Sequence, residues 1–177
     1  VWIPATFVDP GVVRNYAPHA PIELGRHPAG VDAFVESVAA DLRRAGFAAQ
    51  ARANVLAWKH AKLLTNAVST LDAVCGSRAG LDDVCAAVKA EGMACYGAAG
   101  IETVPAAEYE ARVAFAVAAM GEIDGFPRTG GSSTQSLARG LSSIETDYVN
   151  GEIVLLDRTF GVATPVNEAI VRSANEL

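Results

Sequence analysis

Three polar residues recur at helical spacing in an apolar segment, Lys62, Asn66 and Thr70. At i, i+4 and i+8 they share one face of a helix. An ammonium beside an amide is costly to bury unless something polar binds there, so the face predicts a polar binding site. Periodicity alone favours a plainer interpretation, in which the lysine reaches solvent and the asparagine makes an ordinary interhelical hydrogen bond. His60 lies off this face, and Lys59 has no polar partner four residues on.

A second group of polar residues lies later in the chain, with Ser132 and Ser133 followed by Glu145. Serine at a helix start offers a hydroxyl and free backbone N–H groups, which suit a carboxylate ligand. Taken alone, helix capping explains the serines, and the helix dipole explains an acid at a helix start. Neither group is specific by itself.

Composition sets limits on the class of protein that carries these residues. The 177 residues are 51% apolar and 19% charged, which predicts a soluble protein with one ordinary core. A net charge of -6 argues against a nucleic-acid binder, and no apolar run approaches the roughly 18 residues of a membrane span. Three cysteines at ten-residue spacing fit neither a metal site nor a disulfide framework, and we interpret them as small buried hydrophobes. No signal peptide is evident, so we expect a cytoplasmic protein.

The order of elements predicts a mostly α fold behind a short α/β segment. The first 50 residues carry strand signals, a turn at Asp9-Pro10-Gly11 and a helix from Asp32 that Gly46 closes. The weakly alternating residues 47–53 could form one more strand. From Asn54 onward the pattern is helical, with helices expected at about 54–74, 81–99, 105–120, from 132, at 144–160 and at 165–171.

The two polar groups together resemble the signatures of the ketopantoate reductase family. The lysine and asparagine lie in AKLLTN at 61–66, and the serines at 132–133 precede IETDYVNG at 144–151. In that family the lysine precedes an asparagine by four residues, and the second serine precedes the glutamate by twelve, as Ser133 and Glu145 do here. Further agreement lies at 9–11, 22–26 and 161–167, so the resemblance covers nearly the whole chain.

The resemblance implies an NADPH-dependent reduction of 2-dehydropantoate (ketopantoate) to pantoate, on the route to coenzyme A. Lys62 would stabilise the charge that develops on the carbonyl oxygen and donate the proton. Asn66 and Thr70 would bind the substrate hydroxyl, and Ser133 a carboxylate or hydroxyl oxygen. Glu145 would contact the nicotinamide ribose and help to orient Lys62 or the substrate. No metal is implied, and related helical domains often form homodimers.

One departure from the family concerns the cofactor domain. No G-x-G-x-x-G occurs in the sequence, and the chain opens at Val1 without Met, so we expect a fragment. By resemblance, residues 1–50 are the closing strands and helix of a truncated Rossmann domain. Residues 51–177 are then an all-α substrate-binding and catalytic domain, similar to the C-terminal domain of 6-phosphogluconate dehydrogenase. We expect the isolated chain to be inactive.

A second departure leaves the substrate open. Family members commonly place another asparagine three or four residues after the first, where this chain has Ser69 and Thr70. A hydroxyl has one donor where an amide has two, so another small 2-oxo acid is an alternative substrate. A third interpretation, motivated by the apolar content, is a non-catalytic helical module that serves in oligomerisation.

Overall fold

The computed structural model describes residues 4–123, 125, 130–141 and 144–177, and within strand β1 the side chains of residues 7 and 8 are not described. Among the described residues the elements are β1 (Ala5–Asp9), β2 (Val12–Asn15), β3 (Pro21–Leu24), α1 (Ala33–Arg44), β4 (Ala48–Ala51), α2 (Val55–Cys75), α3 (Asp82–Ala99), α4 (Ala106–Ala118), α5 (Ser132–Ala138), α6 (Thr146–Phe160) and α7 (Pro165–Ala174). The prediction of a mostly α fold behind a short α/β segment is confirmed.

Two compact units divide the chain. One comprises Val1–Ala61 and Thr103–Arg128, and the other comprises Lys62–Glu102 and Thr129–Leu177. Helix α2 begins in the first unit and continues into the second. The boundary near residue 50 between a truncated Rossmann domain and an all-α domain stays a prediction.

The first unit contains the described strands in two pairs. Strands β1 and β2 form an antiparallel hairpin, with the turn at Asp9-Pro10-Gly11 where the sequence predicts it. Strands β3 and β4 pair in parallel, with Pro21 opposite Ala48, and α1 is the connection between them. A parallel pair needs such a crossover because its strands run the same way. These elements form one β-α-β unit.

A carboxylate on β3 joins α4 to the strand pair. Glu23 is largely buried and forms ion pairs with Arg52 at 2.9 Å and with Arg112 of α4 at 2.5 Å. Arg112 also donates to the carbonyl of Ala48, and the Arg52 guanidinium lies over the Trp58 ring at 4.5 Å from its centroid. A buried carboxylate requires such partners, because an unpaired charge in the interior is strongly destabilising. This network accounts for the position of α4.

The second unit has its own apolar core, built where α2, α3, α6 and α7 meet. Its buried members include Leu64, Leu71, Val88, Ile153 and Ile170. Helices can approach closely here because α3 presents a glycine, Gly92, to α2 and α6. A glycine in the middle of a helix lowers the helix propensity of the segment. Here the close packing against Leu64 and Ile153 explains why a glycine is needed.

Substitution of Gly92 by alanine is expected to destabilise the protein. The new Cβ would overlap Leu64 Cδ2 and lie 3.2 Å from Ile153 Cδ1, and both side chains are buried and have little room to move. Overpacking outweighs the gain in helix propensity, so we expect a net loss of about 1–2 kcal/mol in the free energy of unfolding. Denaturant unfolding measures it.

Gly97→Ala is the matched control on the same helix. A Cβ at Gly97 would meet nothing within 4 Å, so this substitution should stabilise the protein by roughly 0.5–1 kcal/mol through helix propensity. Equal effects of the two substitutions would contradict the close packing at Gly92.

Buried polar groups fix how the helices of this unit meet. Asn150 of α6 donates through Nδ2 to the carbonyl of Ala67 at 3.2 Å and to Asn167 Oδ1 at 3.0 Å. Asn167 in turn donates to Glu91 Oε2 at 2.7 Å, and the Glu91 carboxylate also accepts the backbone N–H groups of Val166 and Asn167. These N–H groups lie in the first turn of α7, where the helix itself provides no acceptor, so Glu91 of α3 supplies the missing hydrogen-bond acceptor. Asn150, which the sequence places near the second polar group, therefore has a structural role.

The cysteine prediction is right for one residue and wrong for another. Cys95 is buried and its thiol lies 3.7 Å from the Ile153 carbonyl, Cys85 is half-buried, and Cys75 is exposed at the end of α2. Among the described residues, no helix combines the length and apolar character needed to cross a membrane.

Candidate active site

Helix α2 carries the first group of predicted site residues as a continuous helix. Lys62, Asn66 and Thr70 lie on successive turns of Val55–Cys75, so the shared face that their spacing predicts is formed. Lys62 and Asn66 are half-buried, and Thr70 is buried. Of the competing candidates on this helix, Lys59 is exposed and His60 is half-buried.

The environment of Lys62 lowers the pKa of its ammonium group below the usual value of 10.5. Burial is the larger cause, because it disfavours the charged form. The charge of the Glu145 carboxylate acts in the opposite direction and raises the pKa. The two groups do not form an ion pair within 4 Å, so the structure brings them into electrostatic range without direct contact.

The hydroxyl groups of α2 are used within the helix. Thr70 donates through Oγ1 to the Asn66 carbonyl at 3.4 Å, and Ser69 donates to the Thr65 carbonyl at 3.2 Å. In this arrangement either hydroxyl could meet a ligand only as an acceptor. That differs from a second asparagine, whose amide would still offer a donor.

The second group of predicted residues lines one cavity of about 420 Å³. Ser133 lies in the first turn of α5, and Glu145 occupies the cap position of α6. The prediction that the serines cap a helix is wrong, since Gly131 holds the cap position of α5 and no side chain caps it. The cavity is lined by Ser132, Ser133, Gln135, Ser136, Arg139, Leu141, Ile144, Glu145 and Tyr148.

Glu145 is the link between the two groups of residues. It lines the cavity beside Ser133, and its charge acts on Lys62. Lys62, Asn66 and Thr70 are not among the described residues that line the cavity. Arg139 also lines the cavity. Its position in the sequence does not predict this, because no spacing or motif shows on which face of the short helix α5 its side chain lies.

The described residues do not provide a pyrophosphate site for a dinucleotide. The only described strand that leads into a helix by a parallel β-α-β unit is β3, and α1 follows it. The start of α1 is already occupied by a carboxylate, because Asp32 Oδ1 accepts the Val35 N–H at 2.9 Å and Asp32 also pairs with Arg26. A phosphate there would meet a negative charge.

Several solved structures share the fold of this chain. A 2-dehydropantoate 2-reductase from Methylococcus capsulatus has a TM-score of 0.76 and 24% identity, over 96% of this chain and 58% of that one. A D-mandelate dehydrogenase in complex with NADH has a TM-score of 0.74 and 21% identity, over 97% and 58%. A dimeric ketopantoate reductase from Staphylococcus aureus has a TM-score of 0.70 and 14% identity, over 99% and 60%. The chain thus spans about three fifths of the length of these proteins, and the similarity shows the fold.

The family follows from the sequence itself. Residues 54–177 match the family model described as "Ketopantoate reductase PanE/ApbA C terminal", which covers more than half of the chain. The chain therefore belongs to the ketopantoate reductase C-terminal domain family, and the resemblance drawn from the lysine, serine and glutamate motifs is confirmed.

Proposed function

We propose that this chain carries the substrate-binding and catalytic part of a 2-dehydropantoate 2-reductase, which reduces the 2-keto group of ketopantoate to give pantoate. The observation that carries the proposal is the half-buried Lys62, whose charge interacts with that of Glu145, a residue that lines the cavity with Ser133. Family membership supports the same reaction class.

The roles of the residues follow from the chemistry of ketone reduction. Hydride addition builds negative charge on the carbonyl oxygen, and a nearby ammonium both stabilises that charge and supplies the proton. Lys62 is suited to this, because burial lowers the pKa of its side chain and so makes the ammonium a readier proton donor. Glu145 keeps the ammonium protonated and orients it, Ser133 binds a substrate oxygen from the cavity, and Asn66 and Thr70 contact the substrate hydroxyl from α2.

The cofactor we propose is NADPH, which supplies the hydride when bound. Its pyrophosphate site lies outside the described residues, so the isolated chain is expected to lack turnover, and only Glu145 is assigned a contact with the nicotinamide ribose. The S. aureus reductase described as dimeric supports a homodimer as the assembly. We propose the cytoplasm as the compartment, where pantothenate synthesis would take place.

A different small 2-oxo acid is a second candidate substrate. It is favoured by Thr70, which stands where the family commonly has an asparagine and whose hydroxyl donates to the Asn66 carbonyl. With its proton used in that bond, Thr70 can accept a hydrogen bond from a substrate but offers no donor, so a substrate that needs a donor here would be bound less well than by an asparagine. The structural similarity to a D-mandelate dehydrogenase supports this alternative as well.

A substrate panel on the full-length protein tests both candidates. We expect the highest kcat/KM for 2-dehydropantoate with NADPH, and no NADPH oxidation by the purified 177-residue chain. A clear preference for another 2-oxo acid would establish the alternative. Failure to reduce any 2-oxo acid would overturn the reductase assignment. The remaining interpretation would be a non-catalytic oligomerisation module, which self-association in a sedimentation experiment would support.

A further inference from the structure

The cavity between α5 and the start of α6 is lined by an arginine that forms no ion pair with a described residue. Arg139 lines it at the end of α5, and its Nη2 donates only to the Ser136 hydroxyl at 3.3 Å. No carboxylate of the described residues lies within ion-pair distance of Arg139. Glu145 lines the same cavity without pairing with it. Arg139 is exposed as well as lining the cavity, so its guanidinium is accessible to a ligand anion.

The groups around Arg139 fit an organic carboxylate. A guanidinium offers two parallel N–H donors that match the two oxygens of a carboxylate, and the hydroxyls of Ser132 and Ser133 line the same cavity. Leu141, Ile144 and Tyr148 add an apolar wall. At about 420 Å³ the cavity lies within the range of small-molecule sites.

We infer that Arg139 binds the carboxylate of the 2-oxo acid and determines specificity for a charged substrate. The inference rests on the proposed reductase function. A 2-oxo acid carries its carboxylate next to the ketone, so binding of the acid group at Arg139 holds the ketone in the cavity that Glu145 lines. The charge of Glu145 acts on Lys62, and the carbonyl is thereby directed to the side from which the ammonium acts.

The test is Arg139→Gln in the full-length protein, with two forms of the substrate. For the 2-oxo acid we expect KM to rise about 10- to 100-fold with little change in kcat, because a charge-assisted hydrogen-bond pair is lost. For the uncharged methyl ester of the same acid, wild type and variant should have the same KM. Arg139→Lys keeps the positive charge but cannot offer two parallel N–H donors, so its KM for the 2-oxo acid should lie between those of wild type and Arg139→Gln.

The control is Arg158→Gln, which removes the same charge from an exposed arginine in the last turn of α6 that does not line the cavity. It should leave KM for both substrates unchanged. An equal rise in KM for acid and ester would show that Arg139 acts only on the structure. A rise in KM for NADPH instead would assign Arg139 to a cofactor phosphate, and either result overturns the inference. Absence of any 2-oxo acid reduction in wild type would refute the reductase assignment instead.

Discussion

Lys62→Ala in the full-length protein is expected to lower kcat for the 2-oxo acid by about 10²- to 10⁴-fold, with a much smaller change in KM. The reason is that the alkoxide formed by hydride addition loses both its proton donor and the positive charge that stabilises it. Lys62→Arg should restore only part of the rate, because a guanidinium keeps the charge but scarcely gives up its proton. Steady-state kinetics measures both.

Removal of the Lys62 charge should not weaken the fold, and this distinguishes a catalytic role of the ammonium from a structural one. Because the folded state lowers the pKa of Lys62 below 10.5, it disfavours the ammonium relative to the unfolded chain. This cost is present at neutral pH and disappears as the pH rises through the lowered pKa toward the unfolded value. Lys62→Met should therefore raise the free energy of unfolding at neutral pH, where the ammonium is charged, and this gain should shrink as the pH rises.

Lys59→Ala is the matched control for the activity of Lys62. Lys59 is exposed on α2, three residues before Lys62, and its loss should leave kcat unchanged. If Lys62→Ala kept more than about a tenth of the wild-type kcat, the general-acid role would be refuted. If it lost stability as well, the half-buried ammonium would be a structural group.

Local patterns in the sequence determine most of this fold. The helices expected at 54–74 and 81–99 are observed at Val55–Cys75 and Asp82–Ala99, because apolar periodicity and terminal glycines are local signals. Gly100 ends α3 with a positive φ of 66°, which a glycine adopts without strain. The hairpin turn at residues 9–11 is equally local.

Local sequence patterns do not predict contacts between residues that are distant in the chain. The parallel register of β3 and β4 depends on how α1 packs, and no residue of either strand encodes its partner. Glu91 shows the same limit, since it binds the start of α7 some 75 residues later in the chain. A carboxylate in the middle of α3 looks like any solvent-exposed acid in the sequence.

The candidate site divides in the same way. The face of α2 with Lys62 and Asn66 follows from helical spacing. Ser133 and Glu145 are visible in the sequence as polar residues, but only the family motif assigns them to a site. The influence of Glu145 on Lys62 depends on the tertiary structure, because 83 residues separate the two and their distance is set by how α2 and α6 pack. Arg139 has neither a spacing nor a motif to mark it, and only the cavity reveals it.

Glu145→Gln is expected to move the alkaline limb of the pH–rate profile to lower pH. In the reaction we propose, Lys62 donates the proton, so the rate should fall as the pH rises through the pKa of Lys62. In the wild type the carboxylate of Glu145 raises that pKa against the effect of burial. Without the carboxylate the pKa falls further, and a smaller fraction of Lys62 is protonated at any alkaline pH.

The measurement is kcat/KM for the 2-oxo acid from about pH 6 to pH 10, the range in which a lysine of lowered pKa titrates. We expect the ratio of kcat/KM at high pH to that near neutrality to decrease in Glu145→Gln. Asp147→Asn is the control, because it removes a charge from the first turn of the same helix at an exposed position whose charge does not shift the pKa of Lys62. An alkaline limb that stays in place in Glu145→Gln, or that moves equally in Asp147→Asn, would show that the Glu145 carboxylate does not control the protonation of Lys62 during turnover.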